Sequence, residues 1–174
     1  MSNTLLESVV KKNRARLIPF MLALYVLAFL DRSNIGFAKE TYQLDTGLSN
    51  EAYALGAGIF FVVYAFLGVP ANLLMRKFGA RKWIGCTTLL WGILSAAMAW
   101  ADTEAKFLLV RTLLGAAEAG FFPGMIYLTS QWFPQQNRAS IMGLFYMGAP
   151  LALTLGSPLS GALLEMHGFM GHPG

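Results

Sequence analysis

The sequence predicts an all-α integral membrane protein with five membrane-spanning helices, and three observations lead there. Hydrophobic residues make up 56% of the 174-residue chain and charged residues only 13%, about half the charge of an ordinary soluble domain, with a mean hydropathy of +0.53. Five runs of nineteen or more residues are almost free of charge, and about 20 apolar residues in a helix cross the roughly 30 Å of bilayer hydrocarbon. The basic residues sit in short clusters between those runs, as membrane topology requires. They are not interleaved with stacking aromatics, so the pI near 9.4 does not point to nucleic acid.

Residues 1–16 are a polar, basic lead. Lys11, Lys12, Arg14 and Arg16 ahead of an apolar run resemble a secretory signal, but the run continues past Asp31 without a small-residue cleavage site, so it reads as a retained span. Span one covers 17–38, interrupted only by Asp31 and Arg32. A polar loop is expected over 39–51, with Gly47 and Asn50 as turn residues. Span two, 52–75, carries no charge and contains Gly56, Gly58, Gly68 and Pro70; the basic loop 76–82 follows. Span three is 83–101, and the charged loop 102–106 turns the chain back. Span four, 107–133, holds Arg111, Glu118 and Pro123. Span five, 139–164, carries Gly148-Ala149-Pro150 and Gly156-Ser157-Pro158, two units at which a membrane helix can bend. Residues 165–174 form a Gly-rich tail.

Nine loop bases (Lys11, Lys12, Arg14, Arg16, Arg76, Lys77, Arg81, Lys82 and Arg138) fall on one side, against Lys39 and Lys106 on the other. The positive-inside rule then puts the 1–16 lead in the cytoplasm and leaves the 165–174 tail outside. Cys86 lies alone in an apolar run, which leaves no disulfide framework or cysteine metal site. His167 and His172 read as solvated tail residues rather than metal ligands. No cofactor is expected, and no span carries a nucleophile–base pair or a phosphate-cradling loop, so no catalytic residues are assigned.

The charges inside the spans need a reason, because one near the bilayer centre costs roughly 2.5–3.5 kcal/mol. At about 1.5 Å per residue, Asp31 lies roughly 9 Å from the outer edge, Arg111 about 6 Å, Glu118 about 17 Å and Tyr64 about 18 Å. Arg111 and Glu118, seven apart, share a helix face across Gly115. Asp31 and Arg32 diverge by about 100°, so Asp31 could meet Arg111 at matching depth while Arg32 points into a cavity. Alternatively, Arg111 snorkels to the outer interface. An acid held away from water binds a proton readily, so Glu118 and Asp31 are candidate proton carriers. Tyr64 is either a cavity residue or an aromatic that only packs.

Leu30-Asp31-Arg32-Ser33-Asn34-Ile35-Gly36-Phe37-Ala38, the basic loop after span two, the run from Arg111 through Gly115, Glu118 and Gly120 to Pro123-Gly124, and the stretch from Ala139 through Gly148-Ala149-Pro150 to Gly161 together resemble the major facilitator superfamily. Within it they resemble the anion:cation symporters, which include sugar-acid permeases, and the resemblance covers nearly the whole chain. It implies an incomplete six-helix N-terminal bundle of a proton-coupled symporter that imports an organic anion, a sugar acid such as rhamnonate. It also implies proton coupling at Asp31 and Glu118, substrate binding at Arg32 and Tyr64, and a place for Arg111 in the same charge network. The superfamily loop pattern Gly-x-x-x-Asp-Arg-x-Gly-Arg-Arg is kept at Gly79 and Arg81, with Lys82 following directly. Asn72 stands where its first Gly belongs, and Arg76 where its Asp belongs.

Full members have two six-helix halves, so five spans lead us to expect a fragment, lacking the C-terminal half and inactive alone. Two other readings compete: a small membrane protein that associates with or regulates another transporter, and a membrane-embedded enzyme.

Overall fold

The computed structural model describes residues 3–165, with side chains described for 7–162. His167, His172 and nearly all of the expected 165–174 tail lie outside the described residues. The described chain is helical throughout: α1 (Asn3–Phe37), α2 (Lys39–Thr46), α3 (Asn50–Phe78), α4 (Ala80–Ala97), α5 (Glu104–Glu118), α6 (Phe121–Trp132), α7 (Gln135–Tyr146) and α8 (Gly148–Glu165), with a short 3-10 turn at Met98–Trp100. Five stretches are long and apolar enough to cross a membrane: Glu7–Phe37, Asn50–Phe78, Ala80–Trp100, Glu104–Trp132 and Gln135–Ala162.

Three local features differ from the sequence reading. The basic lead is continuous with the first spanning helix, since nothing between Asn3 and Phe37 stops α1 and Pro19 is tolerated within it. The expected polar loop over 39–51 contains a helix, α2, closed by Gly47 in the left-handed region (φ 70°), where a side chain would be strained. Its length of 8 residues and its polarity hid it from a search for apolar periodicity. After it, Ser49 accepts the Ala52 N–H and starts α3. The fourth and fifth spans, finally, are each two helices. Pro123 has no N–H to give the Ala119 carbonyl, and Pro150 none for that of Tyr146, and the helical run is interrupted nearby, at Ala119-Gly120 and at Met147. Of the two bendable units in span five, the first coincides with a break while α8 runs on through Pro158.

Glycines let the helices touch. A Cβ on Gly115 would lie 2.5 Å from the Phe60 carbonyl oxygen, so α5 rests on the backbone of α3. Gly56 receives the Phe107 ring, Gly148 the Tyr25 ring and Gly156 the Leu30 side chain, which seats α3 on α5 and α1 on α8. Gly79 (φ 85°) makes the tight turn from α3 into α4. At the next turn on this side, Arg138 donates to the Phe133 carbonyl (2.9 Å) and the Ser130 carbonyl (2.7 Å), closing the end of α6. The Glu104–Trp132 stretch is the most enclosed of the five, and its Arg111 and Glu118 lie within the bundle. The main core gathers Met21, Tyr25, Phe60, Trp91, Leu114 and Phe145, and a second cluster packs Tyr53, Leu48 and Phe107 under α2. Outward faces are apolar, as lipid contact demands: Phe66, Val69, Leu89 and Ile93 are all exposed.

Candidate functional site

The centre of the site is an ion pair between α1 and α5. Arg32 Nε donates to Glu118 Oε2 at 2.8 Å, and its Nη2 reaches the same oxygen at 2.8 Å. The other carboxylate oxygen, Oε1, is buried without a partner. The Glu118 side chain is fully enclosed, whereas 20% of the Arg32 side chain remains exposed. The Arg32 guanidinium also lies 4.6 Å from the Tyr64 ring centre and 5.6 Å from that of Phe60, so two aromatic faces share its charge.

Phe60 links the two arginines. Arg111 lies 4.5 Å from its ring centre and donates Nε to the Gly56 carbonyl at 3.2 Å. The bare Cα of Gly56 keeps that carbonyl near α5. Arg111 is 2% exposed, which rules out the snorkelling alternative in this packing.

Asp31 does not meet Arg111 in an ion pair, contrary to the expected match by depth. It accepts a hydrogen bond from the Ser95 hydroxyl on α4, and its second oxygen, Oδ2, is buried without a partner. The reason is angular. Depth set these groups at one level, but their azimuth around α1 turns Asp31 towards α4 and Arg32 towards α5. Asp31 and Arg111 instead line one cavity of about 270 Å³. Asp31 also borders a second cavity, of about 360 Å³, between α1, α4 and α8.

The predicted residues therefore form two groups. Arg32, Tyr64 and Glu118 touch in a chain, with Arg111 joined through Phe60, and Asp31 stands apart with Ser95. Phe60 and Ser95 were not anticipated. Ser95 had a usable signal, a hydroxyl about 18 Å into its span and so within a few ångströms of the level of Asp31. Phe60 had none, being one apolar residue among many. Among the described residues no cluster of three or more His, Cys, Asp or Glu side chains could hold a metal ion.

The Major Facilitator Superfamily profile matches residues 21–171. The inner membrane transport protein RhmT of Escherichia coli K12 is 92% identical over the whole chain, which covers 41% of that relative. A candidate tartrate transporter of Agrobacterium vitis is 50% identical over 99% of the chain and 38% of its own length. The quinolone resistance transporter of Acinetobacter baumannii is 46% identical over 93% of the chain and 37% of its own. The chain thus spans about two fifths of the length of these relatives. Among solved structures, a bacterial homologue of the human lysosomal transporter Spinster, inward-facing and occupied, matches with a TM-score of 0.83 at 23% identity, over 89% of this chain and 34% of its own.

Proposed function

Because the chain belongs to the major facilitator superfamily, a family of transporters rather than enzymes, we propose that it supplies part of a proton-coupled symporter importing a sugar-acid anion such as rhamnonate. The coarser statement needs no proposal: five apolar helices and a near-identical inner membrane relative make this a multi-pass inner membrane protein. In the finer reading the 1–16 lead is cytoplasmic and the 165–174 tail periplasmic, and a further helical half completes the path.

The reading is carried by the Arg32–Glu118 pair. A guanidinium stacked on Tyr64 and still one-fifth exposed is ready to donate to a carboxylate. Its present partner is a fully enclosed acid. A proton arriving at Glu118 removes the charge that holds Arg32, and an anion's carboxylate then takes its place. Anion and proton thereby enter with no net charge left in the low-dielectric interior, where an unpaired charge is expensive. Asp31 serves as a second proton acceptor, and Arg111 holds the local field positive.

The test joins the chain to the portion of the E. coli relative outside the match and measures L-rhamnonate uptake in cells lacking their own. Uptake that rises with an inward proton gradient, and is lost in Arg32→Ala, supports the reading. Gradient-independent uptake, or an unaffected Arg32→Ala protein, overturns it.

A further inference from the structure

We propose that Asp31 is reached by water through a vestibule roofed by α2 and distinct from the cluster of Arg32, Tyr64 and Glu118. This deepens the proton-coupled reading above and rests on it for the role of Asp31. The vestibule is the cavity of about 270 Å³ between α1, α3, α4 and α5. Half of its lining is polar: Asp31, Asn34, Tyr42, Tyr53, Ser95 and Arg111. None of Arg32, Phe60, Tyr64 and Glu118 borders it.

Two buried groups on its walls lack the partners that their chemistry demands. Arg111 is 2% exposed, yet its side chain makes a single hydrogen bond, to the Gly56 carbonyl, and its ring contact with Phe60, with no carboxylate in ion-pair range among the described residues. A guanidinium needs more than that when removed from bulk water. Asp31 Oδ2, opposite, is likewise without a partner. A polar cavity with room for several waters satisfies both, so the two opposite charges interact across solvent rather than in contact.

The roof is pinned in place. The Tyr42 hydroxyl on α2 donates to the Ala101 carbonyl at 2.5 Å, and the Tyr53 hydroxyl donates to the Ile35 carbonyl at the end of α1. The rings of Tyr42, Tyr53 and Phe107 pack together. These contacts tie α2 to the 98–101 turn and α3 to the end of α1. Ser95, the residue that holds Asp31 Oδ1, lines this vestibule and also the second cavity, so Met98 and Ala99, which border the vestibule and not the second cavity, mark the route to the carboxylate.

The experiment is cysteine accessibility in membrane vesicles of both orientations, using the chain with Cys86→Ser and a membrane-impermeant thiol reagent. Met98→Cys reports the upper wall, Ser95→Cys the floor at Asp31, Tyr64→Cys the Arg32–Glu118 cluster, and Asp45→Cys, at an exposed position of α2, marks the membrane face. The expected result is that Met98→Cys and Ser95→Cys label from the face that labels Asp45→Cys, and that 10 mM L-rhamnonate in the full-length hybrid leaves both rates unchanged within about twofold. Labelling of neither position, labelling only from the opposite face, or protection of both by the anion overturns the vestibule. Anion protection of Tyr64→Cys is read separately. Its absence counts against the substrate reading and leaves the water route standing. If Ser95→Cys does not insert, Ser95→Ala with Ala99→Cys on the same wall gives the equivalent reading.

Discussion

Arg32 and Glu118, 86 positions apart, meet through a single carboxylate oxygen: both guanidinium nitrogens in contact reach Oε2 at 2.8 Å, while Oε1 stays buried and unpartnered. An ion pair this enclosed costs much of its Coulomb energy in desolvation, so each partner is held chiefly by the need of the other.

Removing one member should therefore hurt more than removing both. Arg32→Met or Glu118→Met alone leaves an uncompensated charge and should destabilise the detergent-solubilised chain by about 3–5 kcal/mol, with the double substitution clearly less damaging than either single one. Thermal unfolding of the four proteins in a double-mutant cycle measures this. Additive losses would show that the two residues act independently.

Gly115 tests the α3–α5 contact, and Gly85, on α4 and outside it, is its control. A Cβ at position 115 would meet the backbone of Phe60 at 2.5 Å, and backbone cannot swing aside, whereas one at position 85 meets nothing within 4 Å. Gly115→Ala should cost about 1–3 kcal/mol of stability, while Gly85→Ala should be neutral or stabilising by up to about 1 kcal/mol. Melting temperatures of the two variants, side by side, decide it.

Arg138 closes α6 by holding two carbonyls with one planar group. Lysine keeps the charge but cannot present a fork to both acceptors. Arg138→Lys should lose about 1–2 kcal/mol, and amide exchange should speed up first around residues 130–135. Unchanged exchange there would mean that the bonds contribute nothing.

What could be read from the sequence follows from what each signal encodes. The five spans were legible because an uninterrupted apolar run has few alternatives to a membrane helix. Helical rise is fixed, so each charge could be given a level along its span, and Arg32, Tyr64 and Glu118 do lie close together. The direction of each side chain around its helix was not legible, because azimuth depends on which helices pack against which. Thus depth alone favoured Asp31 with Arg111, and packing turned Asp31 to Ser95. The split of span four was half legible in Pro123. The α2 helix was not, because its 8 residues are polar and carry no apolar periodicity, and what docks it, the Tyr42 contact with the 98–101 turn, is a long-range one.

That turn should show a pH signature outside the membrane. Lys106 donates to Asp102 at 2.5 Å and holds the carboxyl below its ordinary value of 3.8. Its folded pKa being depressed, any stabilisation is present above the unfolded value and is lost as pH falls through the lower folded one. Burial, with a smaller push from Asp102, moves the Tyr42 phenol above 10. Its contribution is complete below the unfolded value and disappears as pH rises through the folded one. NMR titration should find Asp102 back near its ordinary value in Lys106→Met. In 1 M salt the shift should shrink, because the pair is exposed and screened. An Asp102 that titrates normally in the parent chain would contradict the contact.

The sharpest functional expectation concerns Glu118 itself. If it carries the coupled proton, Glu118→Gln mimics the protonated acid, releases Arg32 permanently and abolishes coupling while leaving anion binding intact. In the hybrid joined to the rest of the E. coli relative, one pH unit across the membrane is worth about 1.4 kcal/mol, roughly tenfold accumulation of L-rhamnonate per proton. The parent hybrid should reach that level, and Glu118→Gln should settle near equal concentrations on both sides. Exchange of labelled for unlabelled L-rhamnonate, which needs no net proton movement, should persist in the variant. Asp31→Asn should follow the same pattern if it is the second proton acceptor, and should retain accumulation if its contact with Ser95 is only structural. Accumulation by Glu118→Gln would remove the acid from the coupling step. Loss of exchange along with accumulation would instead make Glu118 a residue that holds Arg32 in place for the anion.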